Sequence, residues 1–242
     1  MYQLAIKQYL DRHGFEALNP KAVLFDMDGV LYDSMPNHAI AWQQSMAQFG
    51  IKMTADDAYA TEGARGVDTI RKMVMRQQGR EIDEAEAQKM YDVKSQIFHE
   101  LPEAPVMPGI LALMQQIHDD NIQIGVVTGS GQKPLINRIL KDFGMFVDEA
   151  HITTAYDVRR GKPKPDPYLK GLRKAGDLQP YEAFVVENAP LGIRAGAAAK
   201  IFTIAVNTGP LPAQTLLDAN ADLLFPTMTD FCENWKKIML SL

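Results

Sequence analysis

The strongest constraint on how this chain can fold is the segment FDMDGVLYDS at residues 25–34. The apolar run from Ala22 to Phe25 leads into it, and such a run bounded by Asp and Gly predicts a buried β-strand. Two carboxylates, Asp26 and Asp28, then stand at the carboxyl end of that strand with one residue between them. Because ligands of open parallel sheets bind just outside those ends, the pattern predicts a polar site here.

The two carboxylates need compensation if they share one crevice. Close negative charges raise the pKa of one partner or require a cation, and a hard cation such as Mg²⁺ is the natural one. Gly29 permits a sharp turn directly after them. Taken alone, two Asp residues and a Gly are more often the end of a strand than a site, so the rest of the chain has to decide.

Composition and charge exclude several classes of function. The chain has 242 residues, of which 46% are hydrophobic and 23% charged, as is ordinary for a globular protein. Its net charge of −5 argues against a general nucleic-acid or anionic-membrane surface, so any phosphate site must be local. The single cysteine, Cys232, cannot form an internal disulfide, and neither a membrane-length apolar run nor a signal-peptide pattern is present. We expect a monomeric, cytoplasmic protein with no membrane or nucleic-acid partner.

A helical insertion is predicted directly after the segment at residues 25–34. Pro36 is well placed near a helix start, and Ala39, Trp42 and Met46 continue an apolar stripe at three- and four-residue steps. Further helices are predicted over residues 55–61, 67–78 and 83–99, with no convincing strand between them. We call residues 37–104 the cap, and predict an all-helical unit inserted into a core of residues 1–36 and 105–242.

The rest of the chain alternates between strand and helix patterns. The predicted strands cover residues 22–25, 122–128, 150–154, 183–187, 201–206 and 222–225, and the predicted helices cover residues 3–12, 132–142, 167–175, 191–199 and 230–239. Alternation of this kind predicts an α/β fold with a doubly wound, Rossmann-like parallel sheet. Gly192 and Gly196, four residues apart on one helix, predict close packing of that helix against the sheet.

Three further polar segments lie at predicted strand ends or just before helices. Thr128-Gly129-Ser130-Gly131 offers a hydroxyl and free backbone N–H groups, which suit a phosphate. Lys162 stands in a rigid proline-rich loop, and Glu187-Asn188 ends the fourth strand. Each alone has a simpler interpretation, as a turn, a solvated loop and a helix cap. Together with Asp26 they offer carboxylates, a hydroxyl and a fixed cation, the parts that phosphoryl transfer needs.

The four segments together resemble the four motifs of the haloacid dehalogenase (HAD) superfamily. DxDGVLxDS, VVTGS, GKPKPDPY and VVENAPLGIRAG occur in family order and at family spacing over nearly the whole chain. The resemblance is closest to the β-phosphoglucomutase branch, in which a helical cap is inserted just after the first motif. It implies a phosphoryl-transfer enzyme that uses Mg²⁺.

The resemblance also implies a catalytic role for the motif residues. By that resemblance Asp26 is the nucleophile that becomes an aspartyl phosphate, and Asp28 is the general acid and base. Thr128 binds the phosphoryl oxygens, and its neighbours Gly129 and Ser130 complete the phosphate-binding loop. Lys162 neutralises the nucleophile and the phosphoryl group.

A metal site is implied at the same place. The side chain of Asp26, the backbone carbonyl of Asp28 and the Glu187-Asn188 pair hold Mg²⁺ by the resemblance. The pair is commonly Glu-Asp in the family, so Asn188 keeps an oxygen ligand here but removes a charge. A cis Lys–Pro bond also occurs in the family, which makes Lys162–Pro163 a candidate for a cis peptide.

The cap departs from the β-phosphoglucomutase pattern at two positions. Glu62 stands where that branch carries a Lys, and Gly66 stands where it carries an Arg, with Arg65 one residue earlier. His38 and Trp42 match the branch. The distal phosphate of a sugar bisphosphate requires cations for binding, whereas Glu62 places an anion at that position. Arg65 could compensate, and Glu62 has a simpler interpretation as a surface or capping glutamate.

The glutamate at position 62 decides the expected reaction. A carboxylate suits a small metal-complexed anion such as pyrophosphate, and inorganic pyrophosphatases of this branch resemble the chain, cap glutamate included. We therefore expect a Mg²⁺-dependent phosphohydrolase whose small phosphate substrate meets Glu62, Arg65 and His38. The alternatives are a β-phosphoglucomutase, a carbon–halogen hydrolase and a non-catalytic phosphate-binding module. A carbon–halogen hydrolase would require neither Asp28 nor the carboxylates that bind Mg²⁺.

Overall fold

The computed structural model describes residues 2–130 and 133–242, which contain six strands and eleven α-helices. None of these helices is both long and apolar enough to cross a lipid bilayer. The strands are β1 (Ala22–Phe25), β2 (Gln123–Val127), β3 (Val147–Thr153), β4 (Ala183–Glu187), β5 (Phe202–Val206) and β6 (Leu223–Phe225). The helices are α1 (Tyr2–His13), α2 (Met35–Gln48), α3 (Ala55–Ala60), α4 (Gly66–Gln78), α5 (Glu84–Glu100), α6 (Ile110–Asp119), α7 (Lys133–Phe143), α8 (Asp166–Lys174), α9 (Pro190–Ala198), α10 (Ala213–Leu217) and α11 (Met228–Met239).

All six strands lie parallel in one sheet, in the order β3-β2-β1-β4-β5-β6. From β1 the chain winds towards one edge of the sheet, and from β4 it winds towards the other. The predicted α/β fold with a doubly wound, Rossmann-like sheet is therefore confirmed. The switch point between the two halves lies between β1 and β4, which is where open sheets of this kind bind ligands.

Both faces of the sheet are buried, and the strand side chains alternate between two apolar clusters. In β1, Val23 and Phe25 join one cluster, while Ala22 and Leu24 join the other. Helices α6 and α11 contribute to the first cluster, and α8 and α9 contribute to the second. Burial on both faces explains why these strands are continuous apolar runs in the sequence rather than alternating ones.

The cap contains α2 to α5 and, over residues 37–104, no strand. Its buried side chains form a cluster of their own that includes Met46, Ile70 and Met73. Because Pro36 occupies the first turn of α2, that helix begins at Met35 and crosses the boundary predicted between residues 36 and 37. The limits of the cap as a domain stay a prediction.

Several elements differ from the sequence prediction. β3 begins at Val147 rather than at residue 150, because its pairing with β2 shifts register between Ile124 and Val126. The helices α6 and α10 were not predicted, although α6 buries Ile110, Leu113 and Ile117 at helical spacing. Gly131 of the predicted phosphate loop and Gln132, the predicted start of the next helix, lie outside the described residues.

Gly196 on α9 lies directly against the sheet. A Cβ atom at this position would lie 2.5 Å from Thr203 Oγ1 and 3.2 Å from Val185 Cγ1. Thr203 is buried and its hydroxyl donates to the Ile201 carbonyl at 2.9 Å, so it has little room to move away. We expect Gly196→Ala to lower the free energy of unfolding by about 1–3 kcal/mol through overpacking, even though Ala is the better helix former. Urea denaturation measures this difference.

The matched control is Arg194→Ala on the same helix, at an exposed position. Its unfolding free energy should stay within about 0.5 kcal/mol of the wild type. A Gly196→Ala protein as stable as this control would contradict the close packing of α9.

Candidate active site

Three neighbouring strands carry polar side chains to one edge of the sheet. Asp26 follows β1, Thr128 follows β2, and Glu187 is the last residue of β4. The backbone N–H of Asp26 donates to the Val186 carbonyl at 3.0 Å, and that of Thr128 donates to the Thr153 carbonyl at 2.9 Å. These bonds continue the ladders past the strand ends, so the side chains meet at the carboxyl edge beside the switch point.

The ammonium group of Lys162 connects these strand ends. It donates to Asp26 Oδ1 at 2.5 Å, to Glu187 Oε1 at 2.7 Å and to the Val127 carbonyl at 3.1 Å. Three acceptors satisfy all three N–H bonds of the ammonium. Burial alone would lower the pKa of Lys162, but the two carboxylates outweigh it and hold the pKa above its usual range. A permanent positive charge therefore lies between two buried carboxylates.

The electrostatic surroundings of Asp26 favour the binding of a further cation. Burial raises its pKa to about 7, Lys162 opposes that effect, and the negative charges of Glu187 and Asp28 add to it. A further positive charge nearby would favour the ionised carboxylate, which is the form a nucleophile requires.

The Glu187 carboxylate is fully occupied by protein donors. Its Oε1 accepts from Lys162 and from the Tyr168 hydroxyl at 2.9 Å, and its Oε2 accepts from the backbone N–H groups of Asn188 and Ala189 at 3.0 and 3.1 Å. Four donors fill the four lone-pair positions of a carboxylate. In this structure Glu187 is the group that holds Lys162, and its role as a metal ligand stays a prediction.

Asn188 offers the free oxygen that Glu187 lacks. Its side-chain oxygen is buried and accepts no hydrogen bond from any described residue. No three His, Cys, Asp or Glu side chains in the described ranges form a metal cluster by themselves. A metal site here must therefore combine the Asp26 carboxylate with amide and carbonyl oxygens. Such a hard-oxygen set among crowded negative charges fits Mg²⁺.

Asp28 points away from Lys162 and towards the start of the cap. Its Oδ1 accepts from Ser34 Oγ at 2.6 Å and pairs with His38 Nε2 at 3.0 Å. Burial alone would raise the pKa of Asp28, but His38 and the hydrogen bonds from His38 and Ser34 lower it to about 2. The Asp28 side chain is therefore ionised, and the metal role that the resemblance implies for Asp28 belongs to its backbone carbonyl.

His38 joins Asp28 to a lysine of the cap. Lys94 Nζ lies 2.6 Å from His38 Nδ1, so Nδ1 accepts and the Nε2–H donates to Asp28, a tautomer assigned from the network. Burial and the nearby Lys94 charge keep the pKa of His38 below its usual value, which favours this neutral form. The imidazole also stacks on Phe98, with ring centroids 4.2 Å apart.

Lys94 was not among the predicted site residues. Burial lowers its pKa to about 8, and its ammonium lies 5.3 Å from the Trp42 ring and 4.7 Å from the Phe98 ring, within cation–π range. The sequence contained a signal, because Tyr91, Lys94 and Phe98 recur at three- and four-residue steps on α5 and so share one helix face. A lysine within an aromatic stripe points to a buried charge.

Glu62 reaches from the cap into the site. It is only 7% exposed, and its Oε1 accepts from Asn188 Nδ2 at 2.8 Å. Burial raises its pKa well above the usual value, and the nearby carboxylates add to the shift. Gly29 lies beside this contact with φ +74°, and a Cβ there would lie 2.0 Å from Asn188 Nδ2. Both its backbone conformation and the space therefore require glycine.

Arg65, only three residues later, faces the other way. Its guanidinium pairs with Glu84 at 2.8 Å and approaches Asp68 at 3.8 Å, both on the cap, and it does not line the cavity that contains Asp26. This differs from the expectation that Arg65 faces the substrate, because acidic partners on its own domain draw it outwards. At Gly66 a Cβ would lie 2.1 Å from the Tyr91 ring, so that ring fills the space of a side chain.

A cavity of about 70 Å³ lies between core and cap. At roughly 10–15 Å³ for each water position, it holds about five waters. Thr128 lies beside it and accepts from the Ser130 N–H at 3.0 Å, and the Lys162–Pro163 peptide is cis. The polar and aromatic lining consists of Asp26, Asp28, His38, Trp42, Thr61, Glu62, Thr69, Tyr91, Lys94, Ser95, Phe98 and Ser130, with Gly129 in the wall.

A lysine-bridged carboxylate pair at the switch point of a Rossmann-like sheet, beneath inserted helices, defines a capped α/β enzyme. The chain belongs to the haloacid dehalogenase-like hydrolases, because the model of that family matches residues 20–200. The resemblance seen in the sequence motifs is therefore confirmed at the level of the family.

Individual relatives are phosphatases and phosphomutases. The chain is 32% identical to hexitol phosphatase A of Escherichia coli over 86% of this chain and 91% of that protein. It is 28% identical to the β-phosphoglucomutase of Bacillus subtilis over 90% and 96%. A solved Bacteroides vulgatus structure, provisionally described as a β-phosphoglucomutase, has a TM-score of 0.95 and 45% identity, covering all of this chain and 98% of that one.

Replacement of the bridging lysine tests the electrostatics of the site. Lys162→Met leaves the carboxylates of Asp26 and Glu187 buried without their cation, so the unfolding free energy should fall by about 3–5 kcal/mol. Lys164→Met in the same loop is the matched control, because Lys164 is exposed, and it should change stability by less than about 0.5 kcal/mol. Denaturant unfolding of both variants measures the difference. Equal stabilities would mean that the ion triad does not hold the strand ends together.

Proposed function

We propose that the protein is a Mg²⁺-dependent phosphohydrolase that cleaves a small phosphate compound through an aspartyl phosphate, with inorganic pyrophosphate as the substrate. The observation that carries this proposal is the Glu62 carboxylate, which is buried in the cavity and bonded to Asn188. It places a carboxyl group, and no cation, where a sugar bisphosphate would need a positive charge.

Asp26 is the nucleophile in this proposal. A carboxylate oxygen of Asp26 attacks phosphorus, a P–O bond to the aspartate forms, and the bond to the leaving group breaks. Lys162, 2.5 Å from Asp26 Oδ1, offsets the negative charge that approaches the carboxylate. We assign the hydroxyl of Thr128 and the backbone N–H of Gly129 to the phosphoryl oxygens.

Asp28 serves the second step. Its side chain is ionised at neutral pH, and we assign to it the proton of the water that attacks the aspartyl phosphate. That water replaces the Asp26 oxygen on phosphorus and regenerates the free carboxylate. His38 and Ser34 hold the base in place through their hydrogen bonds to Oδ1.

The metal site is proposed on the side chains of Asp26 and Asn188 and the backbone carbonyl of Asp28. A bound Mg²⁺ would neutralise phosphate oxygens and polarise the phosphorus towards attack. The unpaired oxygen of Asn188 supports this assignment. The pKa of Asp26, raised to about 7 by burial, supports it too, because a cation would restore the ionised form.

The size and lining of the cavity support a small substrate. About 70 Å³ is far below the roughly 300–1,000 Å³ of pockets that bind drug-sized ligands. The two cap positions at which the β-phosphoglucomutase branch carries cations hold Glu62 and Gly66, and the Tyr91 ring covers Gly66. A distal sugar phosphate would therefore find no cation at either position.

A β-phosphoglucomutase is the second candidate. The relatives in Bacillus subtilis and Bacteroides vulgatus favour it, and the aromatic rings around Lys94 could contact a sugar. A carbon–halogen hydrolase is less well supported, because such an enzyme requires neither Asp28 nor a metal site. The monomeric state and the cytoplasmic location remain predictions from the sequence.

Removal of the metal should abolish turnover. We expect excess chelator to stop phosphate release and added Mg²⁺ to restore it, because the carboxylate, amide and carbonyl oxygens are hard ligands. Mg²⁺ should also raise the melting temperature of the wild type but not of Asp26→Asn, which lacks the charged ligand. Full activity in excess chelator would contradict the proposal and favour a metal-free, dehalogenase-like reaction.

Replacement of Glu62 separates hydrolase from mutase. We expect Glu62→Ala to lower kcat/KM for pyrophosphate at least about tenfold, which is about 1.4 kcal/mol, and Glu62→Lys not to restore it. Phosphate release from pyrophosphate is measured beside coupled detection of glucose 6-phosphate formed from β-glucose 1-phosphate.

Glu81→Ala is the matched control, since Glu81 is an exposed glutamate of the same cap and should keep wild-type activity. Efficient formation of glucose 6-phosphate by the wild type, with negligible phosphate release from pyrophosphate, would replace the hydrolase assignment with the mutase.

A further inference from the structure

A second cleft lies across the 61–66 segment from the active-site cavity. Its volume is about 350 Å³, and it opens between the cap and the core. Thr61 and Ala64 line both spaces, so the 61–66 segment is the wall between them. Lys162 also lines this cleft, but its ammonium group is bonded to Asp26 and Glu187, and no role assigned above uses the rest of the cleft.

Positive side chains dominate the cleft. Arg65 and Lys72 line it from the cap, Arg159, Arg160 and Lys164 line it from the core, and Asp68 is the one acidic residue in its described lining. This concentration is local, because the whole chain carries a net charge of −5. The cleft is therefore a basic patch on an acidic protein.

Three of these cations form no ion pair within the described ranges, although Lys164, after Arg160, helps to lower the pKa of Asp166. Arg65 pairs with Glu84, and Arg160 pairs with Asp166. Lys72, Arg159 and Lys164 are exposed and form no ion pair with any described residue. Their charges are free to meet a ligand.

The cations come from two domains that meet at this cleft. Like charges brought together by the cap and the core repel each other, which opposes the closed arrangement. A multiply charged anion between them would turn that repulsion into attraction. Arginine and lysine together favour an oxyanion of the phosphate class, which accepts paired hydrogen bonds from guanidinium groups.

The cleft also contacts the segment that carries Glu62. A Cβ on Gly161 would lie 3.0 Å from Arg65 Cγ, and one on Gly63 would lie 3.3 Å from Lys162 Cδ. The 61–66 segment thus rests on the core loop at residues 161–162 while Glu62 points to the opposite side, into the catalytic cavity. An anion held beside Arg65 would fix this contact.

We propose that the cleft is a second anion site, which binds inorganic phosphate or pyrophosphate and holds the 61–66 segment, and with it Glu62, in the closed position. The effect on turnover rests on the proposed function. The binding itself does not, so it is tested in a protein that cannot turn over.

The test uses Asp26→Asn as an inactive background. A cleft variant adds Lys72→Gln, Arg159→Gln and Lys164→Gln. A matched control instead adds Lys7→Gln, Lys89→Gln and Lys141→Gln. These three lysines are exposed and lie outside the cleft, and their replacement removes the same charge. Isothermal titration calorimetry with phosphate, and separately with pyrophosphate, is run without Mg²⁺. Both proteins keep the catalytic cavity, so their difference reports the cleft.

We expect the cleft variant to bind the anions at least tenfold more weakly than the control. Hydrogen–deuterium exchange of residues 61–66 should slow on anion addition in the control and not in the cleft variant. Tighter binding of pyrophosphate would identify the substrate as the occupant, and tighter binding of phosphate would identify the product. Equal affinities in the two variants, or exchange that the anions leave unchanged in the control, would overturn the proposal.

Discussion

A buried ammonium group between two carboxylates organises this molecule. Charges as deeply buried as those of Lys162, Asp26 and Glu187 are tolerated only when each is paired and its hydrogen bonds are satisfied. The pairing requires the ends of β1, β2 and β4 to lie side by side, because Lys162 also donates to the last carbonyl of β2. The sheet order that brings these ends together therefore also determines where chemistry can occur.

Two polar links join the core to the cap at this site. One joins Asp28 through His38 to Lys94 on α5, and the other joins Asn188 to Glu62. The Asn188–Glu62 link is buried and the Asp28–His38–Lys94 link is partly buried, so each is costly when one partner is missing. The position of the cap thus determines the state of the acid and base group and the charge that faces the substrate.

The residues at the strand ends are of a kind that many phosphoryl-transfer sites share. In the proposed function, the cap side chains distinguish one substrate from another. A nucleophile, a lysine and a hydroxyl at strand ends serve many phosphoryl-transfer reactions, so they do not choose among them. In the proposed function, the carboxyl group at position 62 and the ring that covers Gly66 face the group beyond the transferred phosphoryl. The space that these side chains leave in the cavity suits a small phosphate compound.

The sequence by itself determined the α/β order, the strand ends and the motif residues. Apolar runs and three- to four-residue stripes are local signals, and the carboxyl ends of parallel strands meet in any sheet of this kind. Only the tertiary structure decided that Glu62 points into the cavity and Arg65 away from it. It also decided that protein donors occupy the Glu187 carboxylate and that Lys94 is linked to Asp28 through His38. The reason is physical. Each of these orientations depends on at least one partner distant in the chain, such as Asn188 for Glu62, Glu84 for Arg65 and Lys162 for Glu187, and no local pattern encodes those contacts.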